Sequence, residues 1–299
     1  MCIFAASLAT KKPTQTLHNY NMNNRTTKQI LSLLGVFVLF FLLMSIAIAI
    51  FTFKGVDARQ LLIVSNILQN LALFIIPSVI VARIYNPGKT WQVMKLNRLP
   101  GVAHVAMMLL IYFAAMPIMN YITIWNESWQ LPESLAWIRE MEDDALMATR
   151  KLMQMNTIGD LIVILLTVGL LTGIGEEMLF RGTIQRIFSE GKVNTHIAVW
   201  CSAFIFSALH FQLFGFIPRM LLGAFFGYLY VWSGSLWLPI LAHALNNSLS
   251  TLTYYDAAID TLPWIGNHPT PALAIVSAIA TALMVTLYIM CIVRKRVRD

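Results

Sequence analysis

Apolar residues in this 299-residue chain fall in blocks of about 18 to 25 positions, separated by shorter stretches rich in charged and polar residues. An α-helix needs about 20 apolar residues to cross a hydrocarbon layer, whereas helices of soluble proteins usually keep a polar face. The pattern therefore predicts an all-α, polytopic membrane bundle of about eight transmembrane helices, at residues 29–53, 60–84, 101–125, 158–188, 195–211, 216–232, 236–255 and 271–293.

Composition supports a membrane protein. Apolar residues make up 58% of the chain and charged residues 12%, and the mean hydropathy is +0.69. Soluble domains carry about 25% charged residues, so this composition argues against a large soluble helical protein. The three cysteines have neither disulfide-framework nor metal-site spacing. The net charge of +7 is spread beside the apolar blocks, so we expect no nucleic-acid partner.

Basic residues predict the orientation. Residues 1–28 form a basic N-terminal tail, residues 294–299 form a basic C-terminal tail, and two basic loops follow the second and fourth blocks. With eight spans, all four basic clusters lie on one side of the membrane, and the acidic stretch 127–144 lies on the other. Cytosolic loops carry the excess of Lys and Arg. We therefore predict one transmembrane domain over 29–293, with both termini cytosolic. As a separate expectation, we place it in the plasma (inner) membrane of a bacterium.

The fourth block concentrates ionisable residues, which cost about 2.5 to 3.5 kcal/mol each at the centre of a spanning helix. It contains Glu176, Glu177 and Arg181 in the order Glu-Glu-Met-Leu-Phe-Arg. Glu177 and Arg181 are four residues apart on one helix face, which is the spacing of an ion pair. Glu176 lies on a different face, so we expect this second carboxylate to point elsewhere.

Two later blocks supply complementary polar groups. Phe206 and His210 end the fifth block, and His243 and Asn247 share one face of the seventh. Residues equally far from the turn of an antiparallel helical hairpin lie beside each other, which predicts that Glu176 and His210 have similar depths. We therefore predict a single polar layer in the cytosolic half of the membrane.

These residue types form a hydrolytic set. A desolvated Glu176 is suited to act as a general base on water, with His210 holding that water or moving its proton. His243 and Asn247 can donate hydrogen bonds to the oxyanion of a tetrahedral intermediate. Alternatively, Glu176, His210 and His243 are a three-ligand set for Zn²⁺ that leaves a position for water. The spacing leaves both mechanisms open.

Two other functions use the same residues. A buried polar network that only joins three helices fits a non-proteolytic membrane scaffold or immunity protein. A proton-coupled transporter is the other class, since Glu and His relays also occur in pumps. Against a transporter, the sequence has no inverted repeat and no paired Gly- or Pro-broken helices.

At these residues the sequence resembles the CPBP family of intramembrane metalloproteases, also described as CAAX prenyl protease 2-like or Abi. The family is marked by the ordered motifs Glu-Glu-x-x-x-Arg, Phe-x-x-x-His and His-x-x-x-Asn/Asp, found here at 176–181, 206–210 and 243–247. The resemblance places the catalytic family core at about 158–255. It implies eight helices around a cavity open to the cytosol.

The resemblance also implies residue roles. Glu176 activates water with His210, His243 and Asn247 stabilise the oxyanion, and three residues support the site structurally: Glu177, Arg181 and Phe206. The family name implies a metal, but its eukaryotic endopeptidases are similar to glutamate-dependent enzymes without an obligate metal. We therefore favour a metal-free mechanism, with Zn²⁺ as the candidate cofactor otherwise. We predict an intramembrane endopeptidase whose partners are the lipid bilayer and a membrane-associated peptide or protein substrate.

Overall fold

The computed structural model describes residues 13–266 and 269–293, with side chains from residue 24 onwards. Within these ranges the chain is helical and has no strand, which confirms the predicted all-α class. Nine helices organise this part of the chain: α1 (Pro13–Phe53), α2 (Ala58–Tyr85), α3 (Val102–Glu127), α4 (Ala136–Leu152), α5 (Ile158–Glu190), α6 (Thr195–Ala208), α7 (Phe216–Ser233), α8 (Trp237–Tyr255) and α9 (Pro271–Val293).

Eight of these helices coincide with the eight predicted apolar blocks, but fewer have the length and apolarity of a membrane span. Among the described residues, five do: α1, α2, α3, α5 and α9. Helix α6 has only 14 residues, α7 has 18 and contains Arg219, and α8 has 19 and contains His243 and Asn247 of the predicted site. Polar groups at membrane depth are tolerated where neighbouring helices satisfy them. The helices of the predicted site therefore need the longer helices around them.

Helix α9 presents an apolar stripe to its surroundings. Ile275, Ile279, Leu283 and Leu287 recur every fourth residue and are all exposed. A continuous exposed apolar stripe is unfavourable in water and is expected of a surface that faces lipid. The predicted tails are only partly described: the backbone of 13–28 continues α1 as helix, and residues 1–12 and 294–299 lie outside the described residues.

Helix α5 is central and packs against α2, α6, α7 and α8. Its start is fixed by a capping box between Thr157 and Asp160, and Asp160 also pairs with Arg59 of α2 at 2.9 Å. Further along, a Cβ on Gly173 would lie 3.0 Å from the backbone nitrogen of Ala244. The absence of a side chain at Gly173 thus lets α8 approach α5 closely at the level of the site.

Helices α6 and α7 form a hairpin closed by residues 209–215, which we call the catalytic turn after His210, a residue predicted from the sequence to be catalytic. A Cβ on Gly223 of α7 would lie 3.1 Å from the Phe206 ring, and one on Gly227 would lie 2.9 Å from Val199. The Gly-x-x-x-Gly spacing therefore permits close packing within one chain.

Helix α4 was not predicted, although the acidic stretch that contains it was noted. Its partly buried positions are Ile138, Arg139, Glu142, Ala145, Thr149 and Leu152, and all of them except Arg139 follow the three- and four-residue spacing of one helix face. That spacing is a sequence signal for a helix, and the prediction overlooked it because the stretch is rich in charged residues. The helix packs against α2 and reaches the catalytic turn through Glu142.

Candidate active site

Glu177 and Arg181 form the predicted ion pair, with Oε1 and Nη1 2.6 Å apart and both side chains fully buried. His243 of α8 contacts the same carboxylate oxygen through Nδ1 at 2.8 Å. Because an ionised carboxylate only accepts hydrogen bonds, both Nδ1–H and Nη1–H donate to it. One carboxylate therefore joins two turns of α5 to α8.

The Arg181 guanidinium also contacts two further helices. Its Nη2 donates to the carbonyl oxygen of Gly223 in α7 at 2.6 Å. Its central carbon lies 5.0 Å from the ring centroid of Phe206 in α6 and 5.4 Å from that of Phe226 in α7. Cation–π attraction is strongest where the cation is desolvated. Arg181 thus connects α5, α6, α7 and, through Glu177, α8.

Glu176 precedes Glu177 in the chain but lies in different surroundings. Its side chain keeps 9% of its accessible surface, whereas that of Glu177 keeps none. The Oε2 atom lies 3.6 Å from Nε2 of His243, which is beyond hydrogen-bond distance. The Arg219 guanidinium of α7 interacts with this carboxylate electrostatically. The second carboxylate therefore lies outside the ion pair and faces the opposite nitrogen of the imidazole that binds Glu177.

His243 is held in one orientation from two directions. The bond to Glu177 fixes a proton on Nδ1, and the imidazole stacks on the Phe226 ring with centroids 4.9 Å apart and planes 21° apart. Phe206 contacts it edge to face at 5.9 Å. These contacts direct Nε2 of His243 toward Glu176.

His210 lies in the catalytic turn, close to the end of α6. Its Nδ1 donates to the carbonyl oxygen of Phe206 at 2.8 Å, so the neutral imidazole has its lone pair on Nε2. The Phe206 ring lies 5.0 Å from the His210 ring and also contacts His243. Phe206 therefore touches both imidazoles of the predicted site.

Asn247 lies one turn of α8 beyond His243, and its side chain reaches α5. Its Nδ2 donates to the carbonyl oxygen of Val168 at 3.2 Å, and its Oδ1 accepts from Nδ2 of Asn246 at 3.3 Å. Asn246 in turn accepts a hydrogen bond from Tyr112 of α3 at 3.3 Å. The structure thus holds the Asn247 carboxamide from two sides, separately from the cluster around Glu177.

Helix α5 widens into π-helical turns on both sides of Glu176, over Leu165–Leu171 and Phe180–Gln185. The first contains the carbonyl that binds Asn247, and the second contains Arg181. Short π-helical insertions occur frequently at functional sites, because they redirect side chains within a helix. Here the two π-helical turns place on one helix both Val168, which binds Asn247 of α8, and Arg181, which binds Gly223 of α7.

The residues predicted as Zn²⁺ ligands were Glu176, His210 and His243. Within the described ranges, no group of three or more His, Cys, Asp or Glu side chains comes close enough together to hold a metal ion. The arrangement of these side chains therefore does not fit a metal centre. Zinc binding stays a prediction for direct measurement.

Two residues at the site were not predicted. Arg219 is an ionisable residue within an apolar block, the same signal that singled out Glu176. Its Nη2 donates to Oε1 of Gln212 at 2.6 Å, and its Nη1 is buried without a hydrogen-bond partner. Phe226, which stacks on His243, is one of 17 phenylalanines, and nothing in its spacing marks it.

A cavity of about 400 Å³ lies between α3, α7, α8 and α9, next to the Asn247 carboxamide. Its lining is mainly apolar, with Tyr112, Asn120 and Asn246 among the polar members. The hydrogen bond from Tyr112 to Asn246 connects this lining to Asn247. An apolar chain inside the bundle could therefore lie against the helix that carries His243.

Comparison with known proteins identifies the segment that carries the site. Residues 158–249 match the family model described as type II CAAX prenyl endopeptidase Rce1-like. An uncharacterised protein of Bacillus subtilis (strain 168), YpbD, is 39% identical over 84 residues, which cover 27% of this chain and 40% of that protein. No solved structure matches the chain significantly. Over the segment that holds every predicted catalytic residue, the chain is thus similar to the Rce1-like CAAX prenyl endopeptidases, which confirms the predicted resemblance.

Proposed function

We propose that this protein is an intramembrane endopeptidase in which Glu176 is the general base that activates water. The observation that carries the proposal is the difference between two neighbouring carboxylates. Glu177 has no accessible surface and is bound by Arg181 and His243, whereas Glu176 is buried but keeps 7% of its accessible surface, with His243 Nε2 at 3.6 Å. A carboxylate that lies close to an imidazole and keeps some accessible surface is available for proton transfer.

The other groups fit the remaining steps of peptide hydrolysis. Glu176 removes a proton from water as the hydroxide attacks the peptide carbonyl, and it later returns that proton to the leaving nitrogen. His210 orients the water through the Nε2 lone pair that its bond to Phe206 leaves free. The breakdown of the tetrahedral intermediate then releases an amine and a carboxylate, and no oxidant or cofactor is consumed.

Stabilisation of the oxyanion is assigned to His243 and Asn247. The Nδ1 proton of His243 is committed to Glu177, so donation to an oxyanion uses Nε2–H of the imidazolium form, whose charge the two carboxylates balance. Asn247 has two amide hydrogens, of which one binds the Val168 carbonyl oxygen. The second is the donor that this mechanism uses.

The substrate is proposed to be a membrane-associated peptide or protein, cut in the cytosolic half of a bacterial plasma membrane. Helices α5 and α3 beside the site have the length and apolarity of membrane spans. The cavity of about 400 Å³ beside α8 suits an apolar segment of such a substrate. The description of the matching family names CAAX prenyl endopeptidases. The mechanism proposed for this chain does not depend on whether its substrate is prenylated.

The test is quantitative mass spectrometry of membrane peptides from cells that produce the wild-type protein or Glu176→Gln. Glu190→Gln is the matched control, since Glu190 lies on the same helix and pairs with Arg186 instead. We expect cleavage products to fall by about 10²-fold or more in Glu176→Gln and to persist in the control. Unchanged products in Glu176→Gln would overturn the proposal. Proton-dependent solute uptake by proteoliposomes without any cleavage would favour the transporter.

A further inference from the structure

The catalytic turn needs support from outside itself. It joins α6 to α7 through residues 209–215 and includes Phe211, a non-glycine residue at a φ of +53°. A left-handed backbone at such a residue costs about 1 to 2 kcal/mol. His210 directly precedes this strained position, so the orientation of its imidazole depends on what fixes the turn.

Glu142 of α4 supplies one part of that support. Its carboxylate accepts hydrogen bonds from the backbone N–H of Leu213 and from that of Phe214, the latter at 3.2 Å from either oxygen. Hydrogen bonds to an ionised acceptor are about twice as strong as neutral ones. The neighbouring Arg139 guanidinium lies 3.2 Å from the centroid of the Phe214 ring. Helix α4 therefore holds the turn by charge and by packing.

Asn126, at the end of α3, supplies the second part. This fully buried residue donates from Nδ2 to the carbonyl oxygen of Leu213 at 3.1 Å and accepts at Oδ1 from the N–H of Ile217 at 3.0 Å. The turn is thus bound on both sides of Phe214. Both Asn126 and Glu142 lie outside the 158–249 segment that matches the family.

Charge connects the same contact to the site. Arg219 follows the catalytic turn and interacts electrostatically with both Glu142 and Glu176. Its Nη2 also binds Gln212 within the turn at 2.6 Å. A displacement of α4 would therefore move the turn backbone and alter the charges near the general base together.

We propose that Glu142 is a positioning residue for hydrolysis, which holds the backbone of the catalytic turn so that His210 is correctly placed relative to Glu176. The inference rests on the proposed function, because Glu142 acts only through His210. It assigns a catalytic consequence to α4, a helix that would otherwise be a connection between α3 and α5. The alternative is that α4 contributes to stability alone.

The experiment compares kcat and KM for a membrane peptide whose cleavage is lost in Glu176→Gln. We expect Glu142→Ala to lower kcat by about 10- to 100-fold with KM within about twofold, because small misplacements of a catalytic group cost rates of this order. Glu142→Gln keeps an acceptor oxygen and should recover most of the rate. Asp143→Ala is the matched control, since Asp143 is the exposed neighbour on the same helix. A fall in thermal stability with an unchanged kcat would overturn the inference.

A double-mutant cycle with His210→Ala separates the two proposals. If Glu142 acts through His210, Glu142→Ala causes no further loss of kcat in the His210→Ala background. Multiplicative losses would overturn the inference and leave the proposed function standing. A wild-type rate in His210→Ala alone would overturn both the role of His210 and the inference. Glu142→Asp, which keeps the charge on a shorter side chain, gives the same cycle if Glu142→Ala does not fold.

Discussion

Glu176 and Glu177 are neighbours in the chain, yet the structure places them in opposite situations. Glu177 is fully buried between Arg181 and His243. Its contact with His243 joins α5 to α8, and its partner Arg181 binds α7. Glu176 keeps 7% of its accessible surface, and Nε2 of His243 lies 3.6 Å from its carboxylate. One helix therefore carries a structural carboxylate and a reactive carboxylate on adjacent faces.

The difference shows that burial alone does not identify a catalytic acid or base. Glu177 accepts from Arg181 and His243 at Oε1, at 2.6 and 2.8 Å, and its Oε2 is buried without a hydrogen-bond partner among the described residues. A fully buried carboxylate of this kind depends on its paired cation, so Glu177 belongs to the scaffold. The reactive group is the carboxylate that keeps accessible surface, which is Glu176.

The largest effect expected from this comparison is on stability, in Arg181→Ala. Removal of the guanidinium leaves Glu177 buried without its cation and opens space beside Phe206 and Phe226. We expect a loss of about 3 to 5 kcal/mol in the free energy of unfolding, measured by denaturant titration in detergent micelles. In the double variant Arg181→Met with Glu177→Gln, much of this loss should be restored, since no buried charge is left unpaired.

The control for that prediction is a more exposed ion pair, which joins α2 to α5. Arg59 and Asp160 lie 2.9 Å apart but keep side-chain exposures of 21% and 24%. Exposed pairs contribute about 0 to 1 kcal/mol, so Arg59→Ala should cost far less than Arg181→Ala. Equal losses in the two variants would contradict the assignment of Arg181 as the connection between helices.

A smaller effect, on rate, is expected for Asn247→Ala. Loss of one oxyanion donor lowers kcat by about 10²- to 10³-fold in enzymes where it has been removed. The lost bond to the Val168 carbonyl oxygen should cost only about 1 kcal/mol of stability. Thr251→Val is the matched control, because Thr251 lies on the same helix and its hydroxyl binds the backbone carbonyl oxygen of Asn247, not the carboxamide. Similar kcat values in the two variants would remove Asn247 from the oxyanion site.

Phe226→Leu should have a milder effect, on both the free energy of unfolding and kcat. The ring stacks on His243 at 4.9 Å and lies 5.4 Å from the Arg181 guanidinium. Aromatic stacking is worth about 0.5 to 1.5 kcal/mol beyond area burial, so we expect a stability loss of that order and a fall of a fewfold in kcat. The neighbour Phe225 lines the cavity instead. Phe225→Leu should therefore leave the cleavage rate of a short peptide nearly unchanged.

The sequence predicted the apolar blocks and the ion pair well because both follow from local rules. Block length sets helix length, and a spacing of four residues puts Glu177 and Arg181 on one face whatever the rest of the fold does. The separation of Glu176 from that pair follows from the same geometry. These features therefore needed no knowledge of which helices pack together.

Features that depend on packing between distant segments were not predictable in this way. Glu177 can accept a hydrogen bond from Nδ1–H of His243 only because α8 approaches α5 at Gly173. The catalytic turn is supported by Glu142, which lies about 70 residues earlier in the chain. The π-helical turns of α5 also shift side chains away from the regular period. The predicted span 195–211 likewise ran past Ala208, where α6 ends after 14 residues.

The smallest effect expected is that of metal removal. In a zinc hydrolase of the His₂Glu type, Glu176 would be a ligand and chelation would abolish cleavage. In the metal-free mechanism Glu176 is a base, and Nε2 of His243 at 3.6 Å from it is free for the oxyanion. We therefore expect dialysis against a chelator to leave kcat unchanged and elemental analysis to find less than one zinc per chain. A loss of activity that added Zn²⁺ restores would instead make Glu176 and the two imidazoles ligands, and Glu177 the group that orients His243.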